Sequence, residues 1–149
     1  AEDEAANLAT RSALALGAIL VVVAIVGFVP NPIVGDPANG PFIVTGAVLD
    51  TIHLASGMAL LWVGLALTTR GQGKALIAFG GTWVVLVVLT LLSANLFGIL
   101  GAAPWYGVNL PGHLLHLALA LSAVAVGLIA LRSEPSAPVI GPDPEEADA

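Results

Sequence analysis

Four long apolar stretches alternate with short polar ones along the chain, from about Leu8 to Phe28, Thr45 to Thr68, Lys74 to Phe97 and Gly112 to Leu131. Each is close to the roughly 20 residues that a helix needs to cross about 30 Å of hydrocarbon. The first ends at Gly27-Phe28-Val29-Pro30, where the proline cannot continue a helix. The pattern predicts an all-α polytopic membrane protein with four transmembrane helices over residues 8–131. An acidic segment, 1–7, precedes them and an acidic, proline-rich tail, 132–149, follows. The first stretch reads as a span rather than a secretory signal, because Glu2, Asp3 and Glu4 stand where such a signal carries positive charge.

Composition agrees. Of 149 residues, 58% are hydrophobic and 9% charged, with a mean hydropathy of +0.99, whereas a soluble domain carries about 25% charged residues to coat its surface. The 10 acids and 4 bases give a net charge of -6. Most acids lie at the two ends, and only Asp36 and Asp50 stand between them. Four bases make no nucleic-acid footprint. With no cysteine, disulfides, Cys-ligated zinc, iron–sulfur clusters and thiol catalysis are excluded.

The bases also orient the chain. Arg11, Arg70, Lys74 and Arg132 all fall on one side of the four-span arrangement, which the positive-inside rule makes cytoplasmic. Both termini and a short turn at Gly71-Gln72-Gly73 then lie inside, while the loops at 31–44 and 98–111 face outward. Trp105 and Tyr106 in the second outer loop suit anchors at the interface with membrane lipids. Residues 133–149, with four prolines and five acids, read as disordered in isolation and free to meet a cytoplasmic-side partner.

Sliding the chain against itself by 63 residues aligns Arg11 with Lys74, Gly17 with Gly80, Gly35 with Gly98 and Pro41 with Pro104. It also aligns His53-Leu54-Ala55 with His116-Leu117-Ala118, and Val63-Gly64-Leu65 with Val126-Gly127-Leu128. The pattern reads as a tandem repeat of a two-helix hairpin, with a pseudo-twofold axis along the membrane normal.

That register superimposes Asp50 and His53 of the second span on His113 and His116 of the fourth, each pair at i, i+3 on one helical face. These four form the polar intramembrane cluster, and ionisable groups at such depth must pair or face a cavity. One reading is cofactor binding by His53 and His116 to a haem- or chlorophyll-type pigment, the small residues at Gly112, Ala120 and Gly57 letting a macrocycle lie against the helices. Another is a proton relay, or proton- or ion-coupled transport, through Asp50 and His53. A third is a metal site of three histidines with Asp50, if the second and fourth helices adjoin. The plainest is structural: Asp50 pairs with a histidine or caps its helix, and the histidines hydrogen-bond between helices.

Small residues at i, i+4, namely Ala13 and Gly17, Ala55 and Ala59, and Ala118 and Ser122, suit close helix approach within the bundle. Asn95 reads as the start of the second outer loop. The chain carries no nucleophile elbow, phosphate loop, HExxH or spaced acid pair, so the expectation is a protein that is not an enzyme.

The order of spans, Gly27-Phe28-Val29-Pro30, Asp50-Thr51-Ile52-His53 with Gly57, and Gly112-His113-Leu114-Leu115-His116 resemble a domain-of-unknown-function family of small four-helix bacterial membrane proteins. The resemblance covers about residues 12–131, although that family commonly carries Asn where Asp50 stands. It implies a four-helix fold in the bacterial cytoplasmic (inner) membrane and carries no activity. The functional expectation is a non-catalytic structural or accessory subunit packing against other membrane protein subunits of a larger complex.

Overall fold

For segments this apolar, a helix satisfies every interior backbone N–H and C=O without help from water. The computed structural model describes residues 2–100 and 108–133, and four helices account for most of them: α1 (Glu2–Gly27), α2 (Ala47–Ala66), α3 (Thr69–Leu100) and α4 (Leu110–Arg132). All four are long and apolar enough to cross a membrane. The expected interfacial anchors Trp105 and Tyr106 and the tail from 134 onward lie outside the described residues.

Helix boundaries depart from the hydropathy reading in three places. Helix α1 starts at Glu2, so most of the acidic segment is helical; anionic side chains in a first turn suit the positive end of the helix dipole. Gly71-Gln72-Gly73 is no turn but part of α3, and the connection to α2 is only Leu67-Thr68. Thr68 opens α3, its Oγ1 accepting from the Gly71 N–H at 3.3 Å. Gln72 donates to the carbonyls of Gly64 and Leu67 at 3.2 and 3.0 Å. Its Oε1 accepts from the Thr10 hydroxyl of α1 at 3.0 Å. Asn95 lies within α3, which runs on to Leu100, rather than in a loop.

The chain pairs as two hairpins, α1 with α2 and α3 with α4, and the hairpins meet along a thinner seam. Without a hydrophobic force between helices, such pairs depend on backbones approaching closely enough for dispersion contact. Glycine provides this. A Cβ on Gly57 would stand 2.8 Å from the Gly17 carbonyl oxygen, and one on Gly17 would stand 2.8 Å from that of Gly57. In the second hairpin Gly80 abuts the Ala120 carbonyl, and Gly73 and Gly127 face each other in the same way.

The buried stripes of the two hairpins share one register. Ala9, Ala13, Leu20 and Ala24 of α1 are buried, as are Gln72, Leu76, Trp83 and Val87, which stand 63 positions later. In α2 and α4, His53, Gly57, Leu60 and Gly64 correspond in the same way to His116, Ala120, Ala123 and Gly127, all buried. Of the small pairs expected inside, only Ala13 and Gly17 are buried, whereas Ala55, Ala59, Ala118 and Ser122 face outward. The helix faces fixed by the histidines and glycines leave those positions on the opposite side.

At one end of the bundle residues 28–46 form a compact loop. Strands β1 (Val34–Gly35) and β2 (Ile43–Val44) pair in parallel, with a 3-10 turn at Pro37–Asn39 between them. Two asparagines organise this end. The Asn31 amide donates to the Val26, Val29 and Val34 carbonyls, and its Oδ1 accepts from the Ile33 and Val34 N–H groups. Asn109 caps α4 by accepting from Gly112 N–H at 3.2 Å and ties it to the loop by donating to the Phe42 carbonyl and accepting from Val44 N–H.

Gly57→Ala should therefore destabilise the protein by about 1–3 kcal/mol through overpacking against backbone. Gly81→Ala, where nothing lies within 4 Å of the added methyl, should stabilise it by up to about 1 kcal/mol through helix propensity. Thermal unfolding of both variants in detergent tests the opposite signs.

Candidate functional site

Three titratable side chains of the apolar helices gather near the loop end. Asp50 and His53 project from the first two turns of α2, and His116 from the same level of α4. Asp50 and His53 are 1% exposed and His116 7%.

His53 Nε2 and His116 Nε2 stand 3.0 Å apart, the spacing of an N–H···N hydrogen bond in which one ring donates and the other accepts. The pair thus shares one proton across the seam between hairpins. Trp83 of α3 lies against both rings, with centroids 5.5 Å from His53 and 4.6 Å from His116 and interplanar angles of 21° and 26°. Its flat face fixes the imidazole planes and shields their hydrogen bond from solvent. Phe79 meets the edge of Trp83 at 6.3 Å and 60°, an arrangement aromatic pairs favour.

The other side of His53 faces Asp50. His53 Nδ1 lies 3.9 Å from Asp50 Oδ1, beyond hydrogen-bond reach, and neither atom has another partner. Asp50 Oδ2 accepts from the Thr45 hydroxyl at 3.2 Å, and Thr45 is itself 2% exposed. The carboxylate rests on the backbone of α1 at Gly27, where any Cβ would overlap it. Glycine at 27 is therefore what admits an acid at 50.

Of the four expected cluster residues, the structure brings Asp50, His53 and His116 together and sets His113 aside. His113 is half-buried and lines, with His116, Trp83, Leu49, Ile52 and Thr90, a small apolar cavity of about 40 Å³. A three-histidine site does not form: His113 stands apart, and no group of three or more His, Cys, Asp or Glu among the described residues is placed to hold a metal ion. A macrocycle needs a slot far larger than 40 Å³, since pockets for sizeable ligands run to about 300–1,000 Å³. The pair is arranged to bind itself.

Sequence reasoning missed Thr45, Trp83 and Gln72. Thr45 and Gln72 carry no motif. Trp83 was legible in principle as the aromatic that replaces Leu20 at the same place in the 63-residue register. Comparison with family models, with curated proteins and with solved structures returns no match.

Removing one ring strands the other. His53→Ala or His116→Ala should each cost about 1–3 kcal/mol through the unpaired buried nitrogen, and the double variant should lose about 1 kcal/mol less than the sum of the two. Strict additivity in a double-mutant unfolding cycle would show that the rings do not interact.

Proposed function

We propose that the protein is a non-catalytic integral membrane protein that acts as an accessory or structural subunit, its four helices packing against other membrane subunits. One observation carries the reading: His53 and His116 are turned inward upon each other, while two of the three small-residue pairs face out. Ala55 and Ala59 on α2 and Ala118 and Ser122 on α4 are exposed. On α2 they share a face with Trp62, 60% exposed. Outward small residues beside a large aromatic let a neighbouring helix approach closely and give it an anchor. His53 and His116, already hydrogen-bonded together, then serve the bundle rather than a ligand.

On this reading the two hairpins are a tandem repeat. The common offset of buried residues, of glycine contacts and of the paired histidines supports it, and His53 would meet its own counterpart near the pseudo-twofold axis. Both termini and the connection at Leu67-Thr68 would face the cytoplasm, with the four bases at that end and the loop of residues 28–46 on the outer face. The resemblance of its motifs to those of small four-helix bacterial membrane proteins favours a bacterial inner membrane as its location.

A pathway for protons through the bundle finds less support. Beyond His53 and His116 the core continues as Leu20, Leu60, Leu76 and Ala123, an apolar plug that among the described residues holds no group to carry a proton toward Gln72.

Gentle detergent extraction should yield an assembly much larger than the 14.9 kDa chain. Ala59→Leu with Ser122→Leu should release the subunit from it without lowering the unfolding temperature of the isolated protein. The absorption spectrum should lack Soret and long-wavelength pigment bands. A stable monomer in the mildest extraction would overturn the accessory role, and a pigment band would overturn the ligand-free reading of the histidines.

A further inference from the structure

The histidine pair limits how many protons the seam between the hairpins can hold. With 3.0 Å between the Nε2 atoms, one ring must present a bare nitrogen, because two N–H groups cannot face each other at that distance. Two neutral rings meet this condition, and so does a pair that has taken one added proton. A pair with two added protons does not: both rings are then imidazolium, N–H faces N–H, and like charges stand together in an enclosed, apolar setting.

Asp50 gives the first added proton a place. His53 Nδ1 and Asp50 Oδ1 are buried, 3.9 Å apart and without other partners. A proton added to His53 leaves Nε2–H donating to His116 and turns Nδ1–H toward the carboxylate, so both stranded atoms gain a partner once the gap closes by about 1 Å. Thr45 holds the other carboxylate oxygen in place.

We propose that Asp50, His53 and His116 form a pH-sensitive joint between the two hairpins, which holds with one added proton and parts when acid charges both rings.

The neighbouring helices leave this array to itself. Where they meet it, α1 brings Gly27 to the carboxylate and α3 brings Trp83 to the rings. The titratable residues of α1 and the bases of α3, namely Glu2, Asp3, Glu4, Arg11, Arg70 and Lys74, stand toward the other end of the helices, as does Arg132 of α4. Asp36 is exposed at the rim of a loop-end cavity of about 250 Å³ that Asp50 also borders. His113 of α4 is half-buried beside the smaller cavity that it shares with His116, and adds repulsion only when charged itself.

The sign follows from counting protons. An imidazole in water takes its proton near about pH 6.5, so below about pH 6 the parted seam holds two added protons and the closed seam one. The form that binds more protons gains as pH falls, and acid therefore favours parting. The hydrogen bonds from Asn109 to the Phe42 and Val44 backbone are between neutral groups and resist parting equally at every pH. The joint uses the inward faces of the helices and needs no proton path through the bundle, so it can fail without the outward faces failing as subunit contacts, and the reverse.

The chain has no cysteine and three histidines. Spin labels on Ala55→Cys and Ala118→Cys, both exposed positions, report the separation of α2 and α4 in the full chain in detergent, and His113→Asn leaves His53 and His116 as the only imidazoles. In that background, distances from pulsed electron paramagnetic resonance should show a second, longer population on acidification. Its ratio to the closed population should rise about tenfold per unit between pH 6 and 5, as one extra proton requires. Asp50→Asn removes the partner of the first added proton, and should steepen the rise toward about a hundredfold per unit. His116→Asn should flatten it. A single distance at every pH, the same steepness with Asp or Asn at position 50, or undiminished steepness in His116→Asn would overturn the proposal. Asp50→Asn preserves side-chain volume, so that comparison decides even where His116→Asn does not fold.

Discussion

The hydrogen bond between His53 and His116 is the constraint around which the rest of the bundle is arranged. A polar side chain enclosed by aliphatic ones must find a partner or lose several kcal/mol, and here each ring is the other's partner. Bringing their Nε2 atoms to 3.0 Å fixes the rotation of α2 and α4 about their axes and the height at which the hairpins meet. Once those rotations are fixed, the inward positions follow by helical period: Gly57, Leu60 and Gly64 from His53, and Ala120, Ala123 and Gly127 from His116.

Within each hairpin a different interaction dominates. The backbone-to-backbone approach at Gly17 and Gly57, and at Gly80 and Ala120, contains no polar side chain and depends only on the lack of bulk. Between hairpins, where contact is thinner, the histidine pair and Trp83 supply the specificity that close packing does not. Small residues thus make the hairpins, and one shared proton with an indole lid joins them. At the other end of the helices the Thr10–Gln72 hydrogen bond links the first hairpin to the second in a less enclosed way.

Much of this was legible in the sequence because lipid-like environments reduce the alternatives. Runs of about 20 apolar residues permit little besides a helix, so the four helices and their order could be read directly. The proximity of Asp50, His53 and His116 followed from the i, i+3 spacing and the 63-residue register. What escaped was whatever depends on local hydrogen bonding rather than hydropathy. Gly71-Gln72-Gly73 looks like a turn, yet Thr68 caps it and Gln72 satisfies the carbonyls of Gly64 at the end of α2 and of Leu67 in the connection, so the helix begins there. Small residues at i, i+4 reveal a face but not which way it points. Ala55 and Ala59 fall outside because Gly57, two residues from each, occupies the inward face.

Asp50 is the residue at which these arguments meet. It lies one turn before His53, rests on Gly27 of the neighbouring helix, accepts from Thr45 and forms the floor of the loop-end cavity. An asparagine would fit the same space and could donate to His53 Nδ1, so the packing does not require an acid. What the acid adds in place of an amide N–H is a second oxygen, left without a partner 3.9 Å from His53 Nδ1. A structural requirement alone would be met by the neutral amide. With an acid in that place the Nδ1 side of His53 is left without a hydrogen bond, and the hydrogen bonding of the ring rests on His116 alone.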